Sequence, residues 1–328
     1  MPDRTRWGIL STALINQKVL AGARRSTTAD VIAVASRNEE RATAYAQANS
    51  IPRAYGSYDA LLADPDVDAV YISLPNALHH SWTLRALAAG KHVLCEKPYS
   101  ARARDVEQAF TAAERGRLVL SEAYMYRYNP QIIELKRIVD EGAIGELRFI
   151  SAAFTWPCDA PGDIRLAPEL DGGSLLDVGC YCVSAARLLA GEPIGVTAQQ
   201  IIGPTGVEIR LVGTLAFDAG VLALFDSGFH LPDRSYLEVV GSDAAIRVSD
   251  PWHCLQPALD IIHPNGHTTN IPFEVTNSYA LELDHVHAAI HGDPSTLLGL
   301  SDAVGQARCL EALAKAAAET PLLVADPS

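Results

Sequence analysis

An α/β protein of two domains is expected from this sequence. The first is a doubly wound parallel sheet over residues 1–123. The second is an α+β domain with a large, mostly antiparallel open sheet over residues 124–328. Along the first stretch, short unbroken apolar runs alternate with helix-forming stretches, as parallel strands covered on both faces read. Beyond Gly142 and Gly145 the strand candidates lengthen, alternate polar with apolar, and are joined by hairpin signals. A chain of 328 residues suits about two domains and buries a large core without disulfide or metal staples.

In the first domain, strands are expected at residues 6–10, 31–36, 69–74, 92–96 and 118–121, all short and rich in β-branched residues or Leu. Helices fit between them at 39–47, 58–63, 81–89 and 104–115. Asp64-Pro65 stops the second, while Gly90 and Gly116 end the third and fourth. In the second domain, strands are expected at 147–154, 210–217, 221–229 and 236–240, with Asp218-Ala219-Gly220 as a hairpin turn. Helices are expected at 174–189, 278–291 and 301–318. They cover one face of the sheet, yet Leu215, Phe217, Leu222, Leu224 and Phe225 supply apolar groups of both parities. A sheet apolar on both faces needs a second cover, so a homodimer through this sheet, or a tetramer of such dimers, is expected.

Hydrophobic residues at 48% and charged residues at 20% exclude wholesale disorder. The net charge of −13 argues against nucleic-acid binding, because nothing global draws the chain to phosphate backbones. No apolar run reaches the ~18 residues of a membrane span. The segment from Met1 to Trp7 reads as the start of the fold rather than a signal peptide. No membrane partner and a cytoplasmic location are therefore expected. Of the cysteines Cys95, Cys158, Cys180, Cys182, Cys254 and Cys309, only Cys180 and Cys182 are close, as C-x-C. That is no usual zinc or redox spacing, and free core thiols in a reducing compartment are expected. His79-His80 and His285-x-His287 lack a nearby third ligand, so no metal is expected.

Four segments carry chemistry. The first strand runs into Gly8-Ile9-Leu10-Ser11-Thr12-Ala13-Leu14-Ile15-Asn16, with Ser11, Ala13 and Asn16 at the glycine positions of a G-x-G-x-x-G dinucleotide fingerprint. Ala13 still allows close backbone approach to a pyrophosphate and Ser11 adds a hydroxyl donor. An ordinary strand-to-helix turn reads the same way. The second strand ends in Ser36-Arg37, where an NAD site usually has a carboxylate for the ribose hydroxyls. A hydroxyl and a guanidinium suit a 2′-phosphate instead, with Arg41 sharing that face, and solvated surface arginines are the plain alternative. Glu96-Lys97-Pro98 ends a buried strand, where Pro98 stops the ladder and Lys97 points into the cleft. Finally, Gly172-Gly173-Ser174 opens a helix with Ser174 as its cap and Asp177 and Tyr181 on one face. Singly, Asp177 reads as a capping carboxylate and Tyr181 as a core tyrosine.

In this order the four segments resemble the glucose-fructose oxidoreductase / inositol dehydrogenase (Gfo/Idh/MocA) family. The likeness spans nearly the whole chain and includes Leu74-Pro75-Asn76 with His79, Arg127-Tyr128-Asn129-Pro130 and Ile144-Gly145-Glu146. The Ser-Arg ending, Asp163-Ile164-Arg165-Leu166 and Gly179-Cys180-Tyr181 look most like the dimeric dihydrodiol dehydrogenase and NADP-dependent D-xylose dehydrogenase branch. The resemblance implies a Rossmann domain followed by an α/β domain with a large open sheet. It also implies NADP rather than NAD, and a lysine beside the nicotinamide ring, often followed by a cis proline. The implied cofactor-binding residues are Gly8, Ser11, Thr12, Ala13, Ile15, Ser36, Arg37, Arg41, Ser73, Leu74, Asn76, His79, Glu96, Lys97 and Arg127. The implied substrate-binding residues are Lys97, Trp156, Arg165, Asp177 and Tyr181.

The chemistry fits those residues. Oxidising a secondary alcohol of a sugar or cyclic polyol moves a hydride to the nicotinamide and a proton to a base. Tyrosine ionises at a pKa of ~10, and a nearby ammonium favours the phenolate, so Lys97 would make Tyr181 a usable acid/base. Asp177 would orient Lys97 or bind a substrate hydroxyl. Lys97, Tyr181 and Asp177 are the expected catalytic residues. A regulatory or scaffold protein that only binds nucleotide is the alternative on the same fold, and a metal-dependent hydrolase a more remote one.

Overall fold

The computed structural model of the chain describes residues 4–319 and the backbone of 321–323. Its contacts divide it into two units. One runs up to Met125 and includes Asn277–Val304. The other comprises Tyr126–Thr276 and the chain from Gly305.

The first unit alternates β1 (Thr5–Leu10), α1 (Asn16–Ala23), β2 (Ala29–Ala35), α2 (Glu39–Asn49), β3 (Arg53–Tyr55), α3 (Tyr58–Leu62), β4 (Ala69–Ile72), α4 (Asn76–Ala88), β5 (His92–Glu96), α5 (Ala103–Gly116) and β6 (Leu120–Ala123). The strands form a six-stranded parallel sheet in the order β3-β2-β1-β4-β5-β6. Winding reverses between β1 and β4, so their carboxyl ends border the crevice where ligands bind in such sheets. Near-continuous burial of β1, β4 and β5 explains their unbroken apolar runs. Three elements differ from the sequence expectation, which places no helix at α1. Strand β3 has three residues and no legible pattern, and α4 begins at Asn76, directly after Pro75, without a side-chain cap to announce it.

The second unit holds α6 (Pro130–Asp140), β7 (Leu147–Thr155), α7 (Cys180–Ala190), β8 (Gly195–Ile202), β9 (Glu208–Ala216), β10 (Leu222–Gly228), β11 (Arg234–Gly241), β12 (Ala245–Ser249), β13 (Ala258–Ile262) and β14 (Thr268–Pro272). The chain then makes α8 (Ser278–His291), α9 (Leu300–Ala318) and β15 (Pro321–Leu323). The nine-stranded sheet has the order β14-β13-β12-β11-β7-β10-β9-β8-β15. Only the β7/β10 and β8/β15 pairs are parallel among the described residues. At the β9–β10 hairpin Ala219 and Gly220 take φ of 58° and 77°, the left-handed geometry a tight turn requires. Ile150, Ala152 and Phe154 of β7, Leu215 of β9 and Phe225 of β10 are buried on one face, on which α7 packs. On the other face Val212, Leu222, Leu224 and Tyr236 stay 36–52% exposed.

The helix expected at 278–291 belongs to the first unit, not the second. Leu283 and Val286 of α8 pack on Tyr71, Leu94 and Val19 in the face of the parallel sheet that α1 also covers. Close approach depends on Gly22, since a Cβ there would stand 2.8 Å from Tyr279 Cβ and 2.9 Å from Ala280 N. The stretch Pro168–Ala190 does reach the length and hydropathy of a membrane span, contrary to expectation, yet 78% of its most apolar window is buried inside the fold. Its last part is α7, which packs on β7 and β10. All six cysteines are buried and none forms a disulfide.

Candidate functional site

At the turn after β1, side chains replace the missing glycines. Ser11 adopts φ 140°, a conformation that strains an L-residue and is held by hydrogen bonds. Its Oγ donates to Ser73 O at 3.0 Å and accepts Ala13 N–H at 3.0 Å. Asn16 Nδ2 donates to Ser11 O at 3.0 Å, and Ser73 Oγ donates to Asn16 Oδ1 at 2.6 Å. Ser11, Ser73 and Asn16 thus lock the turn to β4. The amides of Thr12, Leu14 and Ile15, at the start of α1, donate to no other described residue. Gly8 lies inside β1, where a Cβ would stand 2.6 Å from Leu61 Cδ2, so its lack of a side chain admits α3.

At the carboxyl end of β2, Ser36 is buried and its Oγ accepts from Arg41 Nε at 3.3 Å. Asn38 caps α2 by accepting Arg41 N–H at 2.7 Å. Burial raises the Tyr58 phenol, and the Arg37 and Arg41 guanidiniums oppose that rise, so both cations face the same corner. Positions 36–38 are Ser, Arg and Asn, with no carboxylate among them.

The ends of β4 and β5 are tied by His79. Its Nε2 lies 2.7 Å from Leu74 O and its Nδ1 2.9 Å from Pro98 O. His79 is fully buried, and through these two carbonyls it clamps the Leu74 loop to the turn after Lys97. The Lys97–Pro98 peptide is cis. Asn76 opens α4 beside that loop. Glu96 also turns inward, accepting the Tyr71 hydroxyl and, at 3.2 Å, the Lys97 amide.

Behind it, Glu282 of α8 is 1% exposed, and its Oε1 has no hydrogen-bond partner among the described residues. Burial, with the Glu96 charge adding to it, holds the Glu282 carboxyl well above the usual range. A neutral buried acid stabilises the fold fully below the unfolded pKa of ~4.3, and that stability is lost as pH rises toward the folded value. The loss runs at about 1.4 kcal/mol per pH unit while it lasts. Glu282→Gln, which cannot ionise, should therefore gain on the wild type in Tm between pH 5 and 8 and match it near pH 4. Parallel Tm–pH curves would show that Glu282 is not held neutral.

In the second unit a π-helical turn, Leu175–Gly179, precedes α7. The sequence reads as one straight helix here, with Ser174 as its cap. Instead the Glu208 carboxylate of β9 accepts the Ser174 and Leu175 amides, and Ser174 Oγ sits 3.0 Å from Ser227 Oγ. The wider turn shifts Asp177 out of the straight-helix register with Tyr181. Burial pushes Glu208 up to about 8 against those two amides. No pattern marks Glu208 in the sequence, since it is the first residue of an alternating strand.

Asp177 is held from both sides. Trp156 Nε1 donates to Oδ2 at 3.0 Å and Arg165 Nε to Oδ1 at 3.1 Å. Asp163 accepts Arg165 N at 2.9 Å and Nη1 at 3.2 Å, and the guanidinium lies 5.2 Å over the Trp156 ring. The fold thus brings Trp156, Arg165 and Asp177 together. Tyr181, 8% exposed, packs with Tyr126, Phe154 and Trp252 at ring distances of 5.6, 5.4 and 5.9 Å. Arg127 Nη1 donates to Ser184 Oγ of α7 at 3.2 Å. Beyond the ends of β7 and β10, a cavity of about 430 Å³ is lined by Pro157, Asp159, His230, Leu231 and Pro232.

Residues 5–124 match the model of an oxidoreductase family with an NAD-binding Rossmann fold, and residues 132–247 match that of the GFO/IDH/MocA C-terminal domain. A D-xylose 1-dehydrogenase (NADP(+)) of Haloferax volcanii is 36% identical over 316 residues, 95% of this chain and 97% of that protein. A dTDP-3,4-didehydro-2,6-dideoxy-alpha-D-glucose 3-reductase of Streptomyces violaceoruber is 41% identical over 238 residues, 67% of this chain and 69% of that protein. Among solved structures, the 3-ketoreductase KijD10 of Actinomadura kijaniata, in complex with NADP and TDP-benzene, is similar at a TM-score of 0.90. It is 29% identical and covers 98% of this chain and 100% of that one.

Proposed function

The chain belongs to the Gfo/Idh/MocA family of oxidoreductases, and we propose that it transfers a hydride between NADP(H) and a secondary alcohol, ketone or hemiacetal of a sugar or cyclic polyol, with Tyr181 as acid/base assisted by Lys97. The observation that carries it is the corner at the end of β2. There Arg41 rests on Ser36, Arg37 faces the same space, and positions 36–38 hold no carboxylate to repel a 2′-phosphate. The amides of Thr12, Leu14 and Ile15 at the start of α1 suit a pyrophosphate. Bound NADP supplies the hydride acceptor or donor.

The chain's own residues supply the rest. The Tyr181 phenolate takes the proton from the substrate alcohol during oxidation, and the Tyr181 phenol returns it to the carbonyl oxygen during reduction. The Lys97 ammonium favours the phenolate that can do so. Asp177, fixed by Trp156 and Arg165, accepts a substrate hydroxyl. On this reading the first unit is the dinucleotide-binding domain, and the second is the domain of substrate binding and oligomerisation. A cytoplasmic location suits six buried cysteines that form no disulfide. The test is NADPH formation at 340 nm over a panel of sugars and polyols. Tight NADP binding with no turnover of any of them would overturn the enzymatic reading.

A homodimer through the exposed face of the nine-stranded sheet completes the proposal. Val212, Leu222, Leu224 and Tyr236 lie on neighbouring strands β9, β10 and β11 or flank β7 between them, too apolar a band to be left in water. Light scattering should give twice the chain mass, and Leu224→Arg should halve it. A monomeric wild type at micromolar concentration would contradict this.

A further inference from the structure

Glu208 of β9 meets the turn that carries Asp177. It is partly buried, and its carboxylate accepts the Ser174 and Leu175 amides and, at 3.3 Å, the Ser174 hydroxyl. Gly173, at φ 120°, leaves room for that carboxylate, since a Cβ there would stand 3.0 Å from Glu208 Oε2. The Gly173 amide donates to Arg165 O at 2.9 Å, so the same turn also holds the residue that contacts Asp177. Ser174 Oγ meets Ser227 Oγ of β10 at 3.0 Å.

This is the costlier of two ways to start a helix. In the other, Ser174 takes extended backbone and its hydroxyl accepts the amide three residues on, that of Asp177. No carboxylate then has to leave water. Here Ser174 is itself helical, at φ −71° and ψ −29°, and makes no cap bond. The Asp177 amide donates to Gly173 O at 3.1 Å instead, and the π-turn follows. A capped α-helix would set Asp177 and Tyr181 on one face. The π-turn moves Asp177 out of that register, to where Trp156 Nε1 and Arg165 Nε meet its two carboxylate oxygens. We infer that Glu208 is a positioning residue, which selects the π-turn over the capped α-helix and so aims the Asp177 carboxylate at the substrate. The inference rests on the reading of Asp177 as acceptor of a substrate hydroxyl and extends it to a residue that acts through Asp177.

The test is a double-mutant cycle on the whole protein, with NADP⁺ and the best sugar or polyol of the panel. Glu208→Gln keeps the size and one acceptor oxygen and removes the charge. It should raise the sugar KM about 10-fold or more, with kcat changed far less and the NADP⁺ Kd kept, because charge-assisted bonds to two amides are lost. A scaffold role alone would lower Tm and the active fraction and leave the KM in place. Asp177→Asn should raise the same KM, and adding Glu208→Gln to it should cost little more, since both act on one hydroxyl contact. Glu208→Asp, which keeps the charge, should recover part of the KM, and the cycle is read on it where Glu208→Gln does not fold. A sugar KM unmoved by the change at Glu208, or effects that simply add to those of Asp177→Asn, overturns the inference and leaves the oxidoreductase reading standing. An unchanged sugar KM in Asp177→Asn removes the reading of Asp177, and the inference with it.

Discussion

Tyr181→Phe and Lys97→Met should each lower kcat by ~10²-fold or more while NADP⁺ binding is largely kept, because a positioned acid/base typically contributes 10²–10⁴-fold. The phenylalanine keeps the ring that packs on Tyr126, Phe154 and Trp252 and removes only the hydroxyl. A loss in Tyr181→Phe is therefore a loss of chemistry rather than of fold. Methionine at 97 keeps the length and apolar stem of lysine and removes its charge. The phenol of Tyr181 should then ionise at higher pH, so residual activity in Lys97→Met should recover on the alkaline side. Steady-state kcat at saturating sugar, with cofactor Kd from fluorescence, separates the two effects. Near-normal kcat in Tyr181→Phe would move the acid/base role elsewhere, with Lys97 the next candidate.

Arg37→Ala should raise the KM for NADP⁺ far more than that for NAD⁺. Losing a charge-assisted bond to phosphate costs ~1.5–3 kcal/mol, or roughly 10- to 150-fold. Arg37 is exposed at the mouth of the corner, so its removal opens no core cavity, and Arg41 remains on Ser36. What is lost is the cation that a 2′-phosphate sees and a 2′-hydroxyl does not. Equal changes in the two KM values would remove the assignment of Ser36-Arg37 to the phosphate.

The alternation of short buried strands with helices was legible because parallel strands bury both faces, and β1, β2, β4 and β5 all carry that signal. So was the β9–β10 hairpin, through Asp218-Ala219-Gly220. What stayed hidden was tertiary. The return of α8 to the first unit depends on Gly22 admitting Tyr279, a contact far apart in sequence. The roles of Ser11 and Asn16 depend on Ser73, which only the fold sets beside them. Likewise Ser174 looks like a cap until Glu208 takes its amides. Motif reading marks segments and does not say which way each side chain turns. Gly8, His79 and Glu96 sit in cofactor motifs, and only the fold shows that they also pack on α3, clamp a loop and accept an interior hydrogen bond. A motif marks a segment, while side-chain direction is decided by neighbours from other strands.

The most direct test of the central claim, hydride transfer between a sugar carbon and NADP, is isotopic. A free sugar oxidised at 340 nm would be prepared with deuterium at its reacting carbinol carbon and incubated with the protein and NADP⁺, and the reduced cofactor would be weighed by mass spectrometry. The proposed mechanism predicts NADPH one mass unit heavier, in step with loss of label from the sugar. Reduced cofactor carrying no deuterium, or label exchanged into solvent, would contradict it.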